Sequence, residues 1–96
     1  MLISHIDDNS IFNQAIPPLP EGRFFLTEVN GSPLDQFGMG IGQFAPSKVP
    51  FTDLFFMRED LEAPCPVKIC IHGVEQEHDI PMIWNPALHE EGVRYV

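Results

Sequence analysis

Ten prolines, at positions 17, 18, 20, 33, 46, 50, 64, 66, 81 and 86, set the length of anything regular this chain can build. Proline inside a helix costs about 3 kcal/mol, and inside a sheet it removes a ladder donor. Regular elements must fit the gaps between prolines. The longest gap is residues 1–16, so long helices and coiled coils are excluded. Pro17, Pro18 and Pro20 together read as an extended connector.

Between the prolines, strand and turn signals dominate. Leu2, Ile3 and Ile6 fit a short strand, and Asp8, Asn9 and Ser10 can cap a helical turn over 11–16 that Pro17 stops. Phe24 to Val29 is rich in aromatic and β-branched residues and reads as a strand. Asn30-Gly31 follows, a tight-turn pair because both residues tolerate positive φ. A return strand is expected over Leu34–Phe37, with Pro33 placing it at an edge. Gly38, Gly40 and Gly42 alternate with Met39 and Ile41. As a strand they would show one bare glycine face for close packing; as a loop they would be mobile.

Residues 52–62 carry Leu54, Met57 and Leu61 at helical spacing, with Thr52 or Asp53 as cap and Pro64 as stop. Glu59, Asp60 and Glu62 near the C-terminal end oppose the helix dipole there. Val67 to His72 is the strongest strand. Val67, Ile69 and Ile71 share one face, and Lys68, Cys70 and His72 the other. A turn over Gly73–Gln76 leads to a return strand over Glu77–Trp84, with His78, Ile80, Met82 and Trp84 on one face and Pro81 marking an edge or bulge. Asn85, Pro86 and Gly92 frame a short helix over 86–91, and Val93–Val96 can form a last strand. The sum is one small domain over residues 1–96, α+β or mostly β. It consists of short strands and hairpins with one or two short helices.

Leu, Ile, Val and Phe make up 30 of 96 residues, enough for one small core. No apolar run approaches the ~20 residues of a membrane helix, and the N-terminus lacks a basic start and an apolar segment. A cytoplasmic protein with no membrane association is expected. Two cysteines are too few for a disulfide scaffold.

Catalytic and cofactor patterns fail on spacing. Cys65, Cys70, His72 and His78 are zinc-ligand types, but positions 65 and 70 have opposite strand parity and face apart. The same parity argues against a disulfide between them. The glycines lack the third member of a dinucleotide loop, since Gln43 stands there, and no phosphate-loop Gly-Lys-Ser/Thr exists. His89-Glu90-Glu91 is not followed by a second histidine, Val93 standing in its place. Asp7 and Asp8 lack the glycine and closing glutamate of a calcium loop. No serine lies in a nucleophile elbow, and Cys70 with His72 is a poor nucleophile–base pair at that spacing. No enzyme activity, cofactor or metal is expected.

The charge is more informative. Fourteen Asp and Glu against five Lys and Arg give a net charge of −9, and nine of the acids fall in residues 53–91. Such a chain repels phosphate backbones, which argues against direct nucleic-acid binding. It favours a protein partner with a basic surface. Acid also keeps a small hydrophobic protein soluble.

The expected function is therefore a small acidic, non-enzymatic protein-interaction module in an accessory, assembly or inhibitory role. The candidate contact residues are Glu59, Asp60, Glu62, Glu75, Glu77 and Asp79 for steering, with Met82 and Trp84 as apolar anchors. Two alternatives stand beside it. One is a structural subunit of a larger assembly, with homo-oligomers included. The other is an acidic nucleic-acid mimic that inhibits a DNA- or RNA-binding enzyme. Phe24 and Phe25 add a further expectation. Neighbours on a strand face opposite sides, so either the strand is buried twice or one ring is exposed.

Overall fold

The computed structural model describes residues 1–8, 10–42 and 47–82, together with the backbone of residues 93–95. The strands are β1 (Leu2–Ile6), β2 (Phe24–Val29), β3 (Ser32–Pro33), β4 (Met39–Ile41), β5 (Lys48–Pro50), β6 (Cys65–Ile71), β7 (Val74–Ile80) and β8 (Val93–Tyr95). A 3-10 helix covers Ile11–Gln14, and a one-turn helix α1 covers Phe51–Leu54. The protein is mostly β, in antiparallel sheets. The main sheet runs β7-β6-β2-β1-β8, with β3 pairing β2 beside this path, and β4 and β5 form a separate ribbon. No helix among the described residues is long and apolar enough to cross a membrane.

The inner face of the main sheet follows from strand parity, with two adjustments. Ile3, Phe24, Leu26, Val29, Val67, Ile69 and Ile80 are all buried. Leu26 and Val29 lie three apart, an odd spacing that a regular strand would send to opposite faces. The register between β2 and β6 shifts between Leu26 and Glu28, so both side chains turn inward. The extra residue is Thr27, whose hydroxyl donates to the Lys68 carbonyl at 3.1 Å. A second shift, between Ile3 and His5 where β1 meets β8, accompanies inward packing by both Ile3 and Ile6.

The layer beneath the sheet is largely irregular. Ile11 and Phe12 of the 3-10 helix, and Phe51, Leu54 and Phe55 around α1, complete the core. Phe12 and Phe55 pack edge to face, 5.5 Å between centroids, a geometry that adds about 0.5–1.5 kcal/mol to area burial. Ser10 caps the 3-10 helix, accepting from the Phe12 N–H, as the sequence leads one to expect. Of the alternating glycines, Gly40 lies in strand β4 and Gly38 and Gly42 flank it. A Cβ at Gly40 would lie 2.9 Å from the Pro33 carbonyl oxygen and 3.1 Å from Leu54 Cδ1. The bare face therefore lets the ribbon lie directly on β3 and α1.

Three expected elements differ. The helix over 52–62 is a single turn, Phe51–Leu54, preceded by Pro50 rather than capped by Thr52 or Asp53. The chain then bends because Arg58, 9% exposed, gathers its carbonyls. Its Nε donates to Phe55 O at 2.8 Å, Nη1 to Ala63 O at 2.9 Å and Nη2 to Leu61 O at 3.2 Å. Leu61 is accordingly exposed rather than on a buried face. The return strand after Asn30-Gly31 is Ser32–Pro33, not Leu34–Phe37. The Asp35 carboxylate accepts the N–H groups of Phe37 and Met39 and so curls residues 35–39 away from β2. The second hairpin turns at His72-Gly73, both with positive φ (51° and 78°), so β7 begins at Val74. His72 is thus a turn residue and not a strand partner of Lys68 and Cys70. The proposed helix over 86–91 lies outside the described residues.

Candidate functional site

The outer face of the main sheet carries the side chains that the core does not take. Register aligns Leu2 with Phe25, Phe25 with Cys70, and Cys70 with Glu75 across β1, β2, β6 and β7. That row spans three strand gaps, about 14 Å. Phe24 is buried while Phe25 is 51% exposed, so the adjacent pair resolves into one core ring and one surface ring. Leu2 and Cys70 are half-buried beside it.

The next row is ionic. Glu28 pairs with Lys68, and Lys68 with Glu77. Lys68 Nζ lies 3.3 Å from Glu28, 3.6 Å from Glu77 and 3.9 Å from Glu75. The Glu28 carboxylate first, and then Glu75 and Glu77, hold the Lys68 ammonium above its usual value. Three carboxylates around one ammonium leave two negative charges at this spot. Asp79 continues the acid along β7. A cleft of about 470 Å³ opens beside it, lined by Ile16, Pro17, Glu28, Lys68, Glu77 and Asp79 among others.

β7 is the edge of the sheet, as Pro81 just beyond its end implies. Among the described residues its edge is covered at one point. Ile16 and Asp79 exchange both backbone hydrogen bonds, at 2.9 Å each. The buried His78 ring holds this strap, with Nδ1 2.6 Å from the Pro17 carbonyl.

The sequence-derived contact residues separate. Glu75, Glu77 and Asp79 share one exposed face of β7, as their parity demands. Glu59, Asp60 and Glu62 are exposed in the irregular loop that Arg58 organises, on no strand. Met82 is half-buried and packs against the core, so it is not a free apolar anchor. It continues the inward parity of His78 and Ile80 past the end of β7. Trp84 lies outside the described residues. Phe25 and Lys68 join the acids on this face, and charge alone does not single them out in the sequence. Adjacency to Phe24 is the one sequence signal for Phe25, and the positive sign of Lys68 sets it apart from the acids it sits among.

The cysteine and histidine set does not assemble. Cys65 is buried on the inner face and Cys70 sits on the outer one, and both are free thiols. Burial pushes the Cys65 thiol up to about 11. His78 pairs with Val67 on the inner face, opposite to Cys70, and His72 is in the turn. Among the described residues no three His, Cys, Asp or Glu side chains are grouped to hold a metal ion.

No protein-family model, curated protein or solved structure matches this chain.

Proposed function

We propose that this chain is a small non-enzymatic protein-interaction module that engages a basic partner across the outer face of its main sheet. The observation that supports the reading is the juxtaposition of an exposed aromatic ring, Phe25, with the carboxylates of Glu28, Glu75 and Glu77 on adjacent rows. An aromatic anchor beside like-signed charge combines affinity with steering. The charge excess around Lys68 gives this face the sign of an attractor for cations, in keeping with the net −9 of the chain.

The test is capture of a partner from cells that express the protein, with the wild type and two face variants, Phe25→Ser and Glu75→Lys with Glu77→Lys. These side chains leave the core untouched, so folding is retained. A protein held by the wild type, lost by both variants and released by salt supports the reading. Equal capture by all three forms overturns it. So does a specific partner whose binding is indifferent to ionic strength.

A further inference from the structure

We infer that the partner contributes an extended basic segment that adds as a strand to the β7 edge, opposite Glu75 and Glu77. The inference rests on the interaction reading above and specifies how the contact is made.

The geometry begins with the β6–β7 hairpin. Its two-residue turn makes Ile71 and Val74 the closing hydrogen-bonded pair, so Gln76, His78 and Ile80 also bond across to β6. The alternate residues Glu75, Glu77 and Asp79 must then aim their N–H and C=O groups away from β6. Asp79 confirms this phase, because its outward N–H and C=O are those that Ile16 takes. In an antiparallel ladder Pro18 is the residue that would face Glu77, and it has no N–H. The strap therefore ends after one bridge. Among the described residues nothing else pairs with β7 on this side.

The occupant follows from charge. Glu75 and Glu77 present backbone groups to the edge and carboxylates to the outer face at the same positions. A strand added here would set its own outer-face side chains directly opposite those carboxylates, within about 5.5 Å between Cα atoms. Lys or Arg at alternate positions fits that register. A second copy of this chain does not. Antiparallel pairing of two β7 edges would bring Glu75, Glu77 and Asp79 of both copies together, and like charges across a ladder are destabilising. The cleft beside Ile16 and Pro17 gives the first side chain of the added segment a place to enter.

The test uses a capped octapeptide of alternating Lys and Val and two N-methylated isomers of it. In the proposed register the Lys amides face β7 and the Val amides face solvent. Methylation at Lys should weaken binding at least ten-fold relative to methylation at Val, with isothermal titration at low salt as the readout. The amide hydrogens of Glu75 and Glu77 should become protected from exchange when the unmethylated peptide binds. A Glu77→Pro variant should lose binding and keep its fold, because that N–H bonds nothing in β6. Glu77→Gln should lose less. Equal binding of the two methylated isomers overturns strand addition and leaves the acidic face as the contact. Failure of all three peptides to bind overturns both readings together.

Discussion

Arg58 makes the clearest quantitative case for how this fold is held. Removing its side chain by Arg58→Ala takes away three short hydrogen bonds of 2.8–3.2 Å to the carbonyls of Phe55, Leu61 and Ala63, beside a longer one of 3.4 Å to Pro64. Hydrogen bonds from a charged donor contribute about 1.5–3 kcal/mol each, which sets a ceiling near 4.5–9 kcal/mol for the three short ones. The loop relaxes once released, and its carbonyls then reach water, so about half that ceiling is expected, roughly 2–4.5 kcal/mol. A chain of this length has a total stability of roughly 5–14 kcal/mol. The variant should therefore be markedly less stable, with Tm lowered by at least about 8 °C at roughly 4–8 °C per kcal/mol.

Arg58→Lys should recover little of this. An ammonium is a point charge and cannot span three carbonyls as a planar fork does. Urea unfolding followed by far-ultraviolet circular dichroism gives both values. A cost below about 1 kcal/mol for Arg58→Ala, or full rescue by lysine, would refute the claim that this guanidinium holds the 55–64 loop.

Two further predictions concern titratable groups. Cys65 is buried with its thiol pushed up to about 11, whereas Cys70 is half-exposed on the outer face. A thiol reagent at pH 8 should therefore modify Cys70 in the native protein and Cys65 only on unfolding, as mass spectrometry of digests will show. Asp35 is held below its ordinary value of 3.8, first by Lys48 and then by the Met39 N–H. A lowered carboxylate stabilises the fold above its unfolded value and loses that contribution as pH falls through the folded one. Asp35→Asn should thus be less stable than the wild type at neutral pH, and the difference in urea midpoint should narrow below pH 3.8.

What was legible in the sequence was what depends on neighbours in the chain. β2 and its Asn30-Gly31 turn follow from β-branched and aromatic residues ended by two residues that accept positive φ. The opposite parity of Cys65 and Cys70, and the shared face of Glu75, Glu77 and Asp79, follow from the two-residue repeat of a strand. The helix over 52–62 failed because the apolar spacing of Leu54, Met57 and Leu61 competed with an arginine that binds loop carbonyls. Periodicity carries no sign of that. The return strand stopped at Pro33 because a side chain, Asp35, offered the backbone a local alternative to the ladder. The strand order β7-β6-β2-β1-β8 depends on long-range pairing, and so does the row that joins Phe25 to Cys70 and Glu75. No local pattern encodes either. Met82 packs partly against the core because strand parity says which side a residue takes but not which side is wet.

The central claim is that the outer face of the main sheet, and the β7 edge beside it, form the working surface. Backbone amide NMR shifts on titration with the alternating Lys–Val peptide test it most directly. Changes are expected to centre on Phe25, Lys68, Cys70, Glu75 and Glu77 and to fade in about 1 M salt, where the screening length falls to roughly 3 Å. Changes centred instead on Phe37 and Ile41, or on the loop from Phe56 to Glu62, would contradict it.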